Sequence, residues 1–367
     1  MKRKSRNRKP TRVAVIGSQG VPPKYGGFET LVDNIIANRS NGVEYTIFCS
    51  RPDMDTSLSD YKGCRLRYLP LHAHGFMSVP YDILSMLKAL RGYDAILVLG
   101  VSGCVFLPVF KMLSRARIVV NIDGLEHRRD KWHTMAKRFL KFSLDVCMRW
   151  ADGIVSDNKG IQDYVRQTYG REARLIAYGG DHAMRDVSAM RQKAILDFYG
   201  LEAGAYDLSV CRIEPENNCH VTLEAYEGTG RTIVMVGNWN HSDYSRDLYN
   251  RNKHRADVRM LKAIYDLDIL YALRCNARIY VHGHRAGGTN PSLVEAMFSE
   301  RPIVAFDVVY NRETTQGKAY YYSDAATLRA LVARDDLDGS ETTATARREY
   351  IWKDIARQYE EMMTESG

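Results

Sequence analysis

His282-Gly283-His284-Arg285-Ala286-Gly287-Gly288-Thr289-Asn290-Pro291-Ser292-Leu293-Val294-Glu295-Ala296-Met297 joins a short apolar run, Ala277 to Val281, to a helical period through a glycine-rich loop. The apolar run leans towards β structure, and proline suits the first turn of a helix, where its missing N–H costs nothing. Gly287, Gly288 and the amides of Thr289 and Asn290 then point N–H groups at an anion, with the helix dipole adding to the attraction. Such a loop reads as a diphosphate cradle. Glu295, about one turn into the helix, is placed to meet a sugar hydroxyl, and Arg285 to neutralise phosphate charge. The plainer reading is a glycine-lined turn between buried elements with Glu295 on a solvated face.

Outward from this stretch, short β-branched runs alternate with helical periods, the pattern of parallel sheets covered by helices on both faces. Strands are expected at Arg12 to Ile16, Tyr45 to Cys49, Leu66 to Leu69, Ala95 to Leu99, Arg117 to Ile122, Gly153 to Ser156 and Leu175 to Ala177. Helices fill the gaps, among them Phe28 to Asn38, Tyr81 to Leu90, Ala136 to Trp150 and Lys159 to Tyr169. After Tyr178-Gly179-Gly180-Asp181 the alternation pauses, and Gly179-Gly180 reads as a hinge. It restarts with Asp207 to Cys211, Thr232 to Val236, Arg278 to Val281, Pro302 to Ala305 and Ala319 to Tyr322. The expectation is two α/β domains, residues 11–185 and 186–345, behind a basic tail of residues 1–10. A last helix, Arg348 to Met363 within 346–367, returns to the first domain on Tyr350, Trp352, Ile355 and Tyr359.

Size agrees, since 367 residues exceed what one core usually serves. With 45% hydrophobic and 26% charged residues the chain is globular. Its longest uncharged apolar stretch, Ala95 to Phe110, is shorter than a bilayer span and is broken by Gly100, Gly103 and Pro108. Lys2, Arg3, Lys4, Arg6, Arg8, Lys9 and Arg12 lead into a strand without an apolar signal region, so a cytoplasmic location is expected. The seven cysteines form no C-x-x-C pair, which argues against zinc, an iron–sulfur cluster or a disulfide framework.

A net charge of +8 owes much to that tail and to the run Lys131 to Phe142, where cations alternate with aromatic and aliphatic residues. Such a surface suits an anionic membrane, although a solvated helix face reads equally well. No recognition-helix, zinc-finger or RNP-type signature points to nucleic acid.

The first strand ends in Gly17-Ser18-Gln19-Gly20-Val21-Pro22-Pro23-Lys24-Tyr25-Gly26-Gly27-Phe28-Glu29, too long and wrongly spaced for the dinucleotide fingerprint. A nicotinamide enzyme is therefore disfavoured. Gly26 and Gly27 instead open a helix at the carboxyl edge of the sheet, and two such helix starts facing across a cleft would suit one nucleotide diphosphate.

Five segments in order now carry a resemblance: Pro23 to Glu29, Asn121-Ile122-Asp123-Gly124-Leu125-Glu126, Ser156-Asp157-Asn158-Lys159, Arg212-Ile213-Glu214-Pro215-Glu216-Asn217-Asn218, and Gly287 to Met297. With them the whole chain resembles GT-B glycosyltransferases of family 4, in particular the bacterial rhamnosyltransferase subgroup of capsule and exopolysaccharide assembly. The resemblance implies two Rossmann-like domains, a nucleotide-sugar donor on the C-terminal one, a lipid-linked saccharide acceptor on the N-terminal one, no metal ion, no cofactor, and retention of anomeric configuration. Arg212 matches the family's pyrophosphate-binding arginine, Glu295 its glutamate on the donor ribose or deoxyribose, and Gly27 the glycine whose amide approaches the donor. Gly26, Asn217 and Ser292 complete the expected donor contacts.

The chain departs from the broad family pattern at three places. Gly287 stands where the E-x7-E motif has its first glutamate, Asn217 where a lysine is usual, and Asp123, followed by Glu126, where the middle strand often ends in histidine. Arg285 is the candidate replacement cation, by charge balance. Asp123 or Glu126 is expected to orient the acceptor or support positive charge on the sugar; a turn at Asp123-Gly124, with Glu126 paired to Arg128 or Arg129, is the structural alternative. Subgroup likeness suggests dTDP-L-rhamnose as donor. A UDP-hexose, an epimerase acting on a nucleotide sugar, and a nucleotide-binding regulator remain open alternatives.

Overall fold

The computed structural model describes residues 9–23, 26–128 and 133–365. The basic tail up to Arg8, the pair Lys24-Tyr25 and the head of the second basic run, with Arg129, lie outside them. The chain forms two compact units, one running to Ala177 and resuming at Trp352, the other spanning Tyr178–Ile351. The divisions thus fall at 177/178 and 351/352, against 185/186 and 345/346 expected from sequence.

Among the described residues the first unit holds eight strands: β1 (Thr11–Ile16), β2 (Val43–Ser50), β3 (Asp60–Tyr61), β4 (Cys64–Leu69), β5 (Ala95–Leu99), β6 (Arg117–Asn121), β7 (Gly153–Ser156) and β8 (Arg174–Leu175). They lie in the order β3-β4-β2-β1-β5-β6-β7-β8, parallel except for the β3–β4 hairpin. Every residue of β5, Ala-Ile-Leu-Val-Leu, is buried, as a central parallel strand covered on both faces requires.

The second unit holds β9 (Tyr206–Val210), β10 (Thr232–Val236), β11 (Val258–Leu261), β12 (Tyr280–His282), β13 (Ile303–Phe306) and β14 (Tyr320–Tyr322). Their order is β11-β10-β9-β12-β13-β14, all parallel. In each sheet strand addition reverses direction once, between β1 and β5 and between β9 and β12. Open α/β folds bind ligands outside the carboxyl ends of the strands at that reversal.

Two expectations are corrected. The final helix is two, Ser340–Glu349 and Trp352–Thr364, broken at Tyr350 and Ile351. Tyr350 stays in the second unit, where its hydroxyl donates to Thr314 O at 2.7 Å. Trp352, Ile355 and Tyr359 are buried in the first unit; Asn121 Nδ2 at the end of β6 donates to Tyr359 Oη at 2.6 Å, and Arg117 Nε to Met362 O at 2.7 Å. Nor is Gly180 a loose joint. A Cβ there would lie 2.8 Å from Val294 and 2.9 Å from Phe298, and its N–H donates to Tyr350 O at 2.9 Å. This glycine allows close packing inside the second unit.

Candidate functional site

The loops leaving β9 and β12 are bonded to each other at the strand reversal of the second sheet. After Val210 the chain passes Arg212 into a turn at Pro215–Asn217, and Asn218, with φ +47°, starts the helix Cys219–Ala225. Asn217 Nδ2 donates to Arg212 O at 2.8 Å, which leaves its Oδ1 to accept the Nδ1–H of His284 at 2.8 Å. Asn218 Nδ2 donates to Gly283 O at 3.0 Å, and the Arg285 amide to Glu216 O at 2.9 Å. Contact is so close that a Cβ on Gly283 would sit 2.1 Å from Asn217 O. Asn217 is 5% exposed, so this expected ligand contact is a staple between loops.

Stapling brings two guanidinium-bearing loops side by side. Arg212 is 42% exposed and 3.5 Å from Glu214 Oε2; Arg285 is exposed and has no ion-pair partner among the described residues. Gly287 adopts φ +103°, a conformation costly for any other residue, beside His284 Nε2. Gly288 and Thr289 continue the loop to Asn290, whose side chain caps the helix Pro291–Met297 by accepting the Ser292 amide at 3.0 Å. Ser292 was expected to face a ligand; instead its Oγ donates to Val210 O at 2.7 Å and lies 2.7 Å from Tyr280 Oη. This bond ties the start of the helix to the end of β9, two residues before Arg212.

Glu295 is not a lone carboxylate. Arg274 Nη2 donates to its Oε2 at 2.5 Å, and His182 Nε2 lies 3.3 Å from its Oε1. Burial alone would raise its pKa, but the charge of Arg274 and the His182 contact outweigh that and hold it at about 2. Arg274, 3% exposed, has no hydrogen-bond partner for Nε or Nη1 among the described residues. Sequence reasoning missed it. The signal was there: in the helix Leu267–Asn276 it shares a face with Leu267 and Leu270, an apolar stripe where a cation needs a buried partner.

His282, buried and pushed well below its usual pKa by desolvation, is a neutral core residue. Trp239 donates its indole N–H to Leu261 O at 3.0 Å and packs in the core.

In the first unit, Gly17 at φ +97° passes so near β5 that a Cβ would lie 2.2 Å from Leu99 O. The loop ends at Gly26, φ +127°, which precedes the helix Gly27–Ala37 as expected. The carboxylate over that helix start, however, is the protein's own. Glu29 Oε1 accepts the Gln19 amide at 2.8 Å, Oε2 occupies the space beside Gly26, and burial raises the group's pKa despite backbone hydrogen bonds.

Asp123 and Glu126 follow β6 at the same sheet edge. Asp123 has φ +52° and donates its N–H to Asn121 Oδ1 at 2.8 Å, while Glu126 begins the turn Glu126–Arg128. Arg128 lies over the Tyr164 ring at 4.6 Å.

On the helix Thr134–Trp150, Met135, Phe139 and Phe142 are exposed beside Lys137, Arg138 and Lys141, and Val109, Met112 and Leu113 are exposed on the neighbouring helix Leu107–Leu113. No helix of the described residues is long and apolar enough to cross a membrane. Among those residues a single group of metal-ligating side chains has converging donor atoms, Asp53, His72 and His74 of the first unit.

A family model described as a domain of unknown function, DUF1972, matches residues 10–181. No curated protein matches in sequence. Among solved structures, sucrose-phosphate synthase from Thermosynechococcus elongatus superposes with a TM-score of 0.78 at 15% identity over 97% of this chain and 98% of that one. HepE from Anabaena, in complex with UDP and glucose, gives 0.76 at 16% identity over 96% and 99%. The catalytic domain of starch synthase IV from Arabidopsis thaliana, bound to ADP and acarbose, gives 0.72 at 13% identity over 97% and 99%. The chain therefore has the GT-B fold.

Proposed function

We propose that this GT-B chain is a retaining glycosyltransferase that moves a sugar, L-rhamnose from dTDP-L-rhamnose, to a lipid-linked glycan acceptor in bacterial surface polysaccharide synthesis. One observation carries the reading: Arg212 and Arg285 stand on loops stapled together at the strand reversal of the second sheet, where a diphosphate would meet two guanidinium groups and the Gly287 turn. Similarity to HepE in complex with UDP-glucose and to starch synthase IV bound to ADP and acarbose supports a nucleotide-sugar donor.

As the bond from sugar to diphosphate breaks, the leaving group gains negative charge while the sugar takes on oxocarbenium character. Fixed positive groups aimed at the phosphates then lower the barrier without a metal ion. In this reading Glu295 meets the ribose or deoxyribose of the donor, the latter for dTDP. Arg274 and His182 hold it ionised and oriented, and a carboxylate has lone pairs left for a sugar hydroxyl. An acceptor hydroxyl attacks the same face that the diphosphate leaves and passes its proton to the departing phosphate. Asp123 or Glu126 of the first unit orients that acceptor. The basic, apolar surface of the helix Thr134–Trp150 supports a peripheral position on the inner, anionic face of the membrane, where a lipid-linked acceptor is presented.

The test follows nucleotide release and donor identity when the protein meets dTDP-L-rhamnose or UDP-hexoses, with and without a lipid-diphosphate glycan in anionic vesicles. Release that requires acceptor is expected. Isomerised donor without acceptor would mean an epimerase, and binding without turnover a regulator. Arg212→Ala should lower release about 100-fold or more while leaving the melting temperature unchanged, because its side chain is solvent-facing and makes no buried bond. Equal release by wild type, Arg212→Ala and Arg285→Ala would remove the assignment.

A further inference from the structure

Two adjacent loops at the carboxyl edge of the first sheet present a ligand set for which the proposed transfer has no use. β2 and β4 run parallel in register, Ser50 opposite Leu69, and both chains then leave the sheet on the same side. The turn after β2 carries Asp53; the segment after β4 carries His72 and His74. One donor atom from each of the three lies within 4.8 Å of the others. His72 Nδ1 is 2.7 Å from Asp53 Oδ1, His74 Nδ1 is 3.5 Å from Asp53 Oδ2, and the two imidazole centroids are 5.2 Å apart. The chain bends at Ala73 and His74, and across that bend both His72 and His74 bring Nδ1 within 3.5 Å of the carboxylate.

The carboxylate is also braced. Ser50 Oγ lies 2.6 Å from Asp53 Oδ2, the Ala73 amide donates to the same oxygen at 3.2 Å, and the Asp53 side chain is 13% exposed. Outer bonds of this kind fix a ligand's orientation before a metal arrives. The imidazoles, 50% and 61% exposed, leave the opposite side open to solvent, which allows entry and leaves a position for water.

We propose that Asp53, His72 and His74 form a divalent transition-metal site of the first unit, with water completing the coordination. Two imidazoles and one carboxylate suit zinc, or cobalt and nickel in its place; magnesium and calcium prefer all-oxygen sets. The ion would join the turn after β2 to the segment after β4. That segment leads through the turn Gly75–Met77 into the helix Ser78–Ala89, whose Tyr81 hydroxyl donates to Ser18 O at 3.1 Å in the loop after β1. Metal binding therefore stiffens the route from this edge to the strand reversal of the first sheet. The inference is independent of the proposed activity.

Zinc uptake by the full chain without an affinity tag, followed by calorimetry and by cobalt substitution, tests it. One zinc per chain is expected, with affinity at least about tenfold weaker in His72→Ala and in His74→Ala. Zinc should raise the melting temperature of wild type but not of His72→Ala/His74→Ala. The milder His74→Gln guards against misfolding, and its metal-free melting temperature should equal that of wild type. Cobalt should give visible bands of a nitrogen and oxygen site. No zinc uptake, undiminished uptake by the double variant, or a thiolate charge-transfer band placing cobalt on cysteine would each overturn the proposal.

Discussion

Glu295 and Arg274 show how a residue read as a ligand contact can also hold a fold together. Arg274 is almost wholly buried, and Glu295 is the carboxylate that neutralises it. Glu295→Gln leaves an uncompensated buried cation, so it should cost about 3–5 kcal/mol in urea unfolding at neutral pH. The sign with pH follows from a folded pKa of about 2 against a usual value of 4.5. A depressed folded pKa means that the ionised form favours the native state. The pair's contribution is complete above pH 4.5 and is lost as pH falls towards 2. Thermal unfolding of wild type across that window should show the loss, and Glu295→Gln should be flatter there; parallel curves would contradict the pairing. At this scale the positive φ of Gly287 and the exposure of Arg212 and Arg285 agree with the sequence, because backbone freedom and charge are announced by residue type. The roles of Asn217 and Ser292 could not be read this way, since a staple and a ligand contact use the same side-chain chemistry and differ only in what lies within hydrogen-bond reach.

Strand ends set the limits of both reversal points, and glycine there answers to space as well as to dihedral angle. Gly17 has a positive φ and faces a backbone oxygen that cannot yield. Gly170, at φ +62°, closes the helix Lys159–Tyr169, and a Cβ added to it would meet nothing within 4 Å. Gly170→Ala should therefore cost about 1 kcal/mol, the left-handed penalty alone, whereas Gly17→Ala should cost several times more or prevent folding. Comparable melting temperatures for the two variants would show that the approach of β1 to β5 is not tight. Most strands were legible because buried parallel strands are continuous β-branched runs. β11 was not: Val258-Arg259-Met260-Leu261 is an edge strand with Arg259 exposed, and it follows a basic helix end. The break at Tyr350 was missed for another reason. Trp352, Ile355 and Tyr359 keep one helical rhythm, but Tyr350, two residues before Trp352, falls on the opposite face, so the spacing carried a sign of the break that counting apolar residues alone overlooked.

At the scale of the molecule, a GT-B fold is retained at 13–16% identity to the solved structures it resembles. Alternation of elements was enough to read it, because layer architecture depends on which faces are apolar and not on particular side chains. The proposed donor sugar and acceptor are not legible in the same way. Nucleoside-diphosphate sugars all share the diphosphate, and the side chains that sort sugars are few and carry no pattern. The first unit is discontinuous, and its closing helix buries Trp352, Ile355, Tyr359, Met362 and Met363 against strands and helices made far earlier in the chain. A chain ending at Ile351 should leave the second unit's hydrogen-exchange protection intact while β5 and β6 lose theirs, since a burial of several large apolar side chains disappears. Unchanged protection of residues 95–121 would show that the helix only decorates the unit.

That discontinuity also fixes an order of events during synthesis. A ribosome must produce the whole of residues 178–351 before it makes the segment that seals the first sheet. The half translated first is thus the half completed last, and its apolar seam stays open to chaperones or to partner nascent chains for the time needed to translate the other.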